Sequence, residues 1–392
     1  MDGERGAKKM DIFTTGYYKR NRIFMITVGI WPESSKFSKN FARTLVLIIS
    51  FSMLLPQVLL GLQSISYITA RTEKFHSKTL RNVSPIMVSL GMFQIEMEIN
   101  RMREDWLILR ETPAFGIIHR YALRGALGTT LYMVFVFSAS TLIFFLLPLE
   151  PIILDIVIPL NESRSKIYAF DSDYSIYGIS TDDHYYFTLI HSLAIGLILA
   201  DAIVSIDTFV LIAVEHCCGL FEAVGYLLQE MHEEHSPWCQ NQIIRKAIFV
   251  HKRAISLAEH IESSFTMMFG FVVLINMILI SITALQAMLE INELAKMARF
   301  LVFTVGQITH LLFLSIPGQE LYDHSSRVFR TIYDSHWFEM STQHQKIVHI
   351  MLMRSMKPSL MTAGKFYHMN VENFKNILQA SMSYFTVFLS AR

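Results

Sequence analysis

Long apolar runs separated by short charged stretches dominate the order of residues along the chain. A helix needs roughly 20 predominantly apolar residues to cross a bilayer. Six segments meet this requirement clearly: Thr44–Leu62, Val83–Ile99, Leu127–Leu149, Phe187–Val214, Phe265–Met288 and Ala298–Pro317. A seventh segment, Val371–Leu389, meets it less well. The pattern predicts an all-α, polytopic membrane protein with seven transmembrane helices.

The seventh segment is weak because polar side chains crowd its first half, namely Glu372, Asn373, Lys375, Asn376 and Gln379. Polar and charged groups are costly against lipid, so a helix that carries them is expected to face water or to pack inside a bundle. The segment that least resembles a membrane span is therefore the one with the clearest indication of a water-facing role.

Composition agrees with a membrane protein. Of 392 residues, 52% are hydrophobic and only 17% are charged, whereas soluble domains are typically about 25% charged. The formal net charge of +1 gives no reason to expect a nucleic-acid partner. The three cysteines, Cys217, Cys218 and Cys239, cluster in one stretch and indicate no disulfide framework.

Lys and Arg residues indicate the orientation of the chain. If the N-terminus lies inside, 24 of them fall on the inner side and nine on the outer side. Positive side chains accumulate on the cytoplasmic side of membrane proteins. We therefore expect a cytoplasmic N-terminus and an extracellular C-terminus, which is the reverse of a G-protein-coupled receptor.

The outer side carries two candidate glycosylation sites and an acidic loop. The sequons begin at Asn82 and Asn161, and both are extracellular in this orientation. The extracellular loop 150–186 contains many more Asp and Glu residues than Lys and Arg residues. This excess either solvates an exposed loop or forms an anionic vestibule that concentrates cations.

The predicted organisation alternates membrane and cytosolic segments. The tail, 1–43, is interpreted as a flexible segment with a short amphipathic helix, or alternatively as a helix lying on the membrane surface. The remaining segments are spans one to four (44–214), a cytosolic helical anchor in two parts (215–262 and 319–369), spans five and six (263–318) and span seven (370–392).

Apolar stripes along the two cytosolic segments support the anchor. One stripe includes Leu220, Ala223, Val224, Leu227 and Leu228, a second includes Ile243, Ala247, Val250, Ala254, Leu257 and Ile261, and a third includes Ile347, Ile350, Met351 and Met353. Amphipathic helices of this kind pack on each other or on a partner subunit. Helices that only connect the spans are the alternative.

A series of short motifs follows in the C-terminal part of the chain. The series is Gly318-Gln319-Glu320-Leu321, Ser325-Ser326-Arg327-Val328, Ile332-Tyr333-Asp334-Ser335-His336-Trp337, Arg354-Ser355-Met356-Lys357-Pro358, Thr362-Ala363-Gly364-Lys365-Phe366 and Ser383-Tyr384-Phe385-Thr386-Val387. In order and spacing it resembles the C-terminal signature of insect odorant receptors. Asp207, His216 and the Phe221…Leu227-Leu228 pattern extend the resemblance upstream.

The resemblance implies a ligand-tuned subunit of a tetrameric, non-selective cation channel in the plasma membrane of olfactory neurons. Its partners would be the odorant co-receptor, a small volatile apolar odorant and membrane lipid, without a cofactor. Aligned on the Ser383-Tyr384-Phe385 block, the hydrophobic gate of the family falls on Val387, where a ring of valines can close a pore by dewetting. The predicted pore residues are Ser383, Tyr384, Val387, Ser390 and Ala391.

The family's odorant pocket lies among spans two, three, four and six, in the outer half of the membrane. The residues that this chain offers there are Met87, Leu90, Phe137, Ser138, Thr141, Phe145, His191, Ile195, Leu199, Phe303, Thr304 and Gln307. For the apolar members the alternative is ordinary helix packing, and Ser138 and Thr141 could instead bond to their own helix. His191 and Gln307 are the sharper candidates because polar groups at that depth need partners, although His191 could be structural. Asp207 is interpreted as structural or pore-supporting.

Three other classes of protein fit the sequence less well. An enzyme is disfavoured because metal-ligand spacings, phosphate loops and nucleophile elbows are absent from the sequence. A transporter would show paired repeats and broken helices at matching positions. A gustatory-type channel of the same superfamily is the nearest alternative, but those receptors end differently from the Ser-Tyr-Phe-Thr-Val-Phe run found here.

Overall fold

Ten α-helices account for most of the described chain. The computed structural model describes residues 11–49, 51–52, 92–158, 164, 166–168, 174–180, 183–233 and 236–390. The helices are α1 (Lys19–Thr27), α2 (36–49), α3 (Met92–Leu109), α4 (Phe115–Thr141), α5 (Leu147–Val157), α6 (Tyr185–Glu233), α7 (Pro237–Leu289), α8 (Leu294–Tyr333), α9 (Thr342–Ser355) and α10 (Val371–Ser390). The prediction of an all-α fold is confirmed.

Short elements complete the described structure. One π-turn, Leu142–Leu146, joins α4 to α5, and a two-stranded antiparallel hairpin precedes α10. Its strands are β1 (Thr362–Ala363) and β2 (Tyr367–His368), with Thr362 opposite His368. The 3₁₀-helices are Ile12–Thr14, Tyr174–Tyr177 and Trp337–Glu339.

Within the described residues, four helical stretches are long and apolar enough to cross a membrane, namely Phe115–Val157, Tyr185–Glu230, Trp238–Leu289 and Leu294–Tyr333. They contain the predicted spans three to six. Most of the predicted spans one and two lies outside the described residues, so the count of seven spans stays a prediction. At 1.5 Å per residue, α7 with its 53 residues is about 80 Å long, far more than a bilayer requires.

The extra length of the long helices packs into a shared core. The members of the predicted stripe from Leu220 to Leu228 are buried, and so are the members of the second stripe from Ala247 to Ile261 on α7. On α9, Met351 is buried, but Ile350 and Met353 are 63% and 53% exposed. Those two residues do not belong to the packed stripe that the sequence predicts, because they lie on the opposite, outward face of α9.

The N-terminal segment is folded against the helices. Phe13, Tyr18 and Trp31 are almost completely buried, and α1 packs along α6. Arg103 on α3 holds the segment from both ends, with a hydrogen bond to Glu33 at 2.6 Å and an ion pair to Asp11 at 3.0 Å. Residues 11–31 are therefore folded, and the prediction of a flexible tail does not hold for them. Burial of their aromatic side chains offsets the free-energy cost of ordering the backbone.

The hairpin before α10 is held against α7 and α8 at two close approaches. The Gly364 amide donates to the Thr266 carbonyl at 2.7 Å, and Gly364 has a φ of 64°, which is accessible to glycine at little cost. On α8, Gly318 passes directly beneath the Met369 carbonyl, where a Cβ atom would overlap it. Both glycines belong to the C-terminal motifs, and close packing explains why glycine occupies these two positions.

Replacing Gly318 by alanine should destabilise the protein. A methyl group there forces the chain before α10 away from α8, and overpacking of this kind costs about 1–3 kcal/mol. Gly306→Ala on the same helix is the matched control, because nothing lies within 4 Å of its added methyl group. Thermal unfolding of the purified variants checks this, and equal melting temperatures for the two would contradict it.

Candidate functional site

An aromatic cluster lies where α4, α6 and α8 meet, in the half of the membrane predicted to be outer. Ile143 and Phe144 form its buried centre, and Leu193, Val302 and Phe303 pack against them. The rings of Phe144 and Phe303 meet edge to face, with centroids 6.3 Å apart. Of the predicted pocket residues, Phe303 is the one that this cluster includes.

The π-turn decides which residues of the third span face inward. Pro148 lacks an amide proton and its ring crowds the carbonyl of Phe144, four residues earlier, which is a common cause of irregular helix geometry. The wider turn over Leu142–Leu146 absorbs an extra residue. Regular helical spacing from Ser138 through Phe145 therefore does not hold, and Phe144 rather than Phe145 enters the cluster.

A glycine on α6 makes room for the Phe144 ring. Gly196 lies under that ring, and a Cβ atom at this position would overlap it. Glycine costs stability in a helix interior, so its place here is explained by the close approach of the ring. The α6 candidates lie nearby in sequence: Ile195 is buried and Leu199 is half-buried.

Three α4 candidates do not join the cluster. Phe137 stacks on Phe24 of α1, with centroids 6.0 Å apart. Ser138 is exposed and donates to the Phe135 carbonyl at 3.0 Å, while Thr141 donates to the Phe137 carbonyl at 2.9 Å. The hydroxyl groups of Ser138 and Thr141 thus bond to their own helix, as the alternative to a role in the odorant pocket predicts.

His191 lies in a polar group at the end of α6. Its Nδ1 is 2.8 Å from the Tyr174 hydroxyl, and its Nε2 is 3.1 Å from the Ser52 hydroxyl. The Phe187 ring stacks on the imidazole. Both ring nitrogens therefore have protein partners, which favours the structural interpretation and ties α6 to Ser52 of the predicted first span and to Tyr174 of the loop predicted to be extracellular.

Described residues of the loop that precedes α6, which is predicted to be extracellular, contact the same end of that helix. The Tyr185 hydroxyl lies 2.5 Å from the Pro148 carbonyl and 3.0 Å from that of Ile167, and Arg299 bonds to the Tyr168 carbonyl. Between the described loop residues and α6 is a narrow cleft with room for about one water molecule, lined by Pro148, Ile167, Tyr168, Tyr174, Tyr185, Thr188, Leu189 and Ser192.

The remaining α8 candidates lie below Phe303. The Thr304 hydroxyl is 2.7 Å from that of Thr283 on α7 and also donates to the Phe300 carbonyl. Gln307 is half-buried. Five predicted site residues lie outside the described part of the chain: Met87, Leu90, Asn82, Asn161 and Ala391.

Asp207 on α6 receives two partners from neighbouring helices. The Tyr132 hydroxyl donates to its Oδ2 at 2.6 Å, and His310 Nε2 lies 3.0 Å from the same oxygen. The Tyr132 ring stacks on Phe313 of α8, with centroids 3.7 Å apart. Sequence reasoning missed Tyr132 and His310, although the presence of a carboxylate within a span already required such partners.

The last helix, α10, packs on its neighbours with one face only. Ile377 and Ser381 are buried, and the Ser281 hydroxyl of α7 donates to the Ser381 carbonyl at 2.9 Å. The predicted gate, Val387, is 57% exposed, and Tyr384 is 49% exposed. Ser383 and Ser390 are also exposed, so these four predicted pore residues are left uncovered by the described part of the chain.

The geometry defines a helical membrane protein with an aromatic cluster among its spans and one amphipathic terminal helix. The 7tm odorant receptor family model matches residues 86–382, and the chain belongs to this family. Membership confirms the resemblance read from the C-terminal motifs, and it also confirms the expectation that the chain is a membrane protein and not an enzyme.

Individual relatives share low sequence identity. Odorant receptor 13a of Drosophila melanogaster is 21% identical over 248 residues, which cover 59% of each chain. The odorant receptor coreceptor of Harpegnathos saltator is 25% identical over 165 residues, or 39% of this chain and 33% of the coreceptor. These alignments therefore span less than two thirds of the relatives' own length.

Solved structures share the fold over nearly the whole chain. The insect olfactory receptor OR5 from Machilis hrabei, in complex with eugenol, superimposes with a TM-score of 0.72 at 15% identity. The match covers 95% of this chain and 97% of OR5. A second OR5 structure gives a TM-score of 0.65.

Gly196→Ala should destabilise the protein through the Phe144 ring, which the new methyl group displaces. The variant should unfold at a lower temperature than the wild type, by an amount equivalent to about 1–3 kcal/mol. Phe144→Leu in the same chain removes ring volume and should recover part of that loss. Thermal unfolding of the two single variants and the double variant measures the coupling, and strictly additive effects would contradict the contact.

Proposed function

We propose that the chain is the ligand-tuned subunit of an odorant-gated, non-selective cation channel. The observation that carries the proposal is the pairing of two features in one subunit: a buried aromatic cluster among α4, α6 and α8, and a terminal helix whose gate residues are left unpacked. The first suits a small apolar ligand, and the second suits a pore shared with other subunits.

The cluster indicates the chemistry of the ligand. Phe144 and Phe303 supply aromatic faces, and Leu193 and Val302 supply aliphatic walls. Such sites bind by shape and by removal of apolar surface from water, with few directed hydrogen bonds. The ligand is therefore a small, mainly apolar volatile molecule, and a solved structure of the similar receptor OR5 holds the small molecule eugenol.

The partner is inferred from the unpacked face of α10. Val387 and Tyr384 are apolar or aromatic and exposed, although they lie on the helix predicted to be surrounded by water and by neighbouring subunits. A ring of four such helices would cover these faces. Coreceptors are among the relatives of the chain. This similarity supports a heteromeric assembly with an odorant co-receptor in the plasma membrane.

The orientation of the chain follows from the excess of Lys and Arg in the segments assigned to the cytosol. In this orientation the aromatic cluster lies in the outer half of the membrane, near the odorant source. The anchor formed by α9 and by the ends of α6, α7 and α8 then lies inside the cell.

Coexpression with an odorant co-receptor in a heterologous cell should give odorant-evoked cation current. Because this subunit supplies the ligand site, the current should depend on it and should change its tuning when Phe303 is replaced by alanine. Whole-cell recording across a panel of volatiles checks this. An unchanged current in cells that lack the subunit would contradict the proposal.

A charged residue at the gate should alter conduction. Val387→Lys places a cation at the predicted constriction, so we expect reduced cation current or altered ion selectivity, whereas Val387→Ile should conduct normally. Met382→Lys is the matched control, since Met382 is equally exposed on α10 but on a different face. If Val387→Lys kept the selectivity and unitary current of the wild type, α10 would not line the constriction through this residue.

A further inference from the structure

The terminal helix α10 packs on α7 and α8 with a face that is mainly apolar and carries one buried serine. Ser381 is 1% exposed. The larger apolar residues around it on this face are buried or half-buried, and they are Phe374, Ile377, Leu378, Phe385 and Leu389. A polar side chain within an apolar helix contact weakens the contact but fixes the register of the helices. Ser381 is therefore a position at which the register of α10 is set.

Ser281 of α7 meets Ser381 from the other side of this contact. Its side chain is fully buried, and its hydroxyl oxygen lies 2.9 Å from the Ser381 backbone carbonyl. The same oxygen is also 2.9 Å from the Met277 carbonyl of its own helix. A serine hydroxyl carries one proton, so the bond to α10 competes with a bond within α7. The link between the two helices can therefore be released without leaving the Ser281 hydroxyl unpaired.

The Ser381 hydroxyl has no hydrogen-bond partner among the described residues. A buried hydroxyl group without a partner costs free energy, because it has lost its hydrogen bonds to water. The observed arrangement of α7 and α10 is thus stabilised by the hydroxyl of Ser281 and destabilised by the hydroxyl of Ser381. These opposed contributions lower the free energy needed to move α10 to a second position, which is the property of a two-state element.

A movement of α10 at the serines also moves the predicted gate. Ile377 and Ser381 are the buried residues of α10 and lie one turn apart, so the tightly packed part of the contact is short. Val387 lies further along the same helix and is 57% exposed. At 1.5 Å per residue the distance from Ser381 to Val387 along the axis is about 9 Å. One continuous helix therefore connects the serine contact to the predicted constriction.

The same stretch of α7 also contacts the helix that carries part of the proposed ligand site. The Thr283 hydroxyl, two residues after Ser281, is 2.7 Å from the Thr304 hydroxyl of α8. Thr304 directly follows Phe303, which packs in the aromatic cluster. Hydrogen bonds of this length tolerate little displacement, so a ligand that moves Phe303 also moves this part of α7. The helix α7 thus lies between the proposed ligand site and α10.

We propose that Ser281 and Ser381 form a serine catch that sets the position of α10 on α7, and that the catch is made in one state of the channel and released in the other. The proposal rests on the proposed function, because it assigns the catch to a gated pore. In this structure the catch is made. Removing the Ser281 hydroxyl therefore destabilises this state, and removing the Ser381 hydroxyl stabilises it, so the two substitutions act on gating in opposite directions.

Whole-cell recording from cells that express the chain with an odorant co-receptor tests the catch, with the volatile that evokes the largest wild-type current as the probe. Ser281→Ala and Ser381→Ala should shift the half-maximal concentration of this volatile in opposite directions, each by about two- to tenfold, the effect of one hydrogen bond. Neither serine belongs to the aromatic cluster, so the order in which a panel of volatiles activates the channel should not change. Shifts in the same direction, or no shift for either variant, overturn the catch.

Two buried hydroxyl groups on α6 provide matched controls. Ser205 is fully buried, and its hydroxyl also lacks a partner among the described residues. Thr208 is fully buried and donates to the Val204 carbonyl of its own helix at 2.6 Å. Ser205→Ala and Thr208→Val should leave the half-maximal concentration at the wild-type value. Shifts as large as those of the catch variants would mean that the loss of any buried hydroxyl alters gating, which overturns the specific role of the catch.

Thermal unfolding of the purified full chain tests the contact independently of channel activity. Ser381→Ala removes an unpaired buried hydroxyl and should raise the melting temperature, whereas Ser281→Ala removes a hydrogen bond and should lower it. Unchanged melting temperatures, or changes of the opposite sign, overturn the contact itself. Absence of any odorant-evoked current refutes the proposed function instead, and the melting temperatures still decide whether the two serines act in opposition.

Discussion

A polar side chain that enters the bilayer must find its partner within the protein, and this constraint determines how the long helices meet. Asp207 is the clearest case. Its carboxylate oxygen is 2.6 Å from the Tyr132 hydroxyl and 3.0 Å from His310 Nε2, so one residue of α6 binds both α4 and α8. Without these partners the carboxylate would cost several kcal/mol against hydrocarbon, on the order of 3 kcal/mol at the centre of a helix.

Smaller polar contacts extend the same arrangement to the other spans. The hydroxyls of Thr283 and Thr304 join α7 to α8, and Ser281 bonds the backbone of α10. Each is short-ranged and directional, so each fixes the register of two helices more strictly than apolar packing does. The aromatic cluster around Phe144 occupies the space that remains between helices whose positions these bonds have set.

Periodicity was sufficient to predict the long helices and the buried stripes of α6 and α7, because both depend on local spacing of apolar residues. It could not predict the inward position of Phe144, since that depends on a π-turn beside Pro148 and on the space left by Gly196, which are properties of two helices together. The folded N-terminal segment was missed for a related reason. Its aromatic residues become informative only against Arg103, a partner far away in sequence.

The difference between the two faces of α10 follows from the same constraint. On its inner face, α10 accepts a hydrogen bond from Ser281 of α7 and buries Ile377. Val387 and Tyr384 find no comparable packing within the described part of the chain. Exposed apolar residues next to polar ones on one helix are stable only where another surface covers the former and water reaches the latter. A pore helix shared among subunits meets both conditions at once, whereas a helix facing lipid meets only the first.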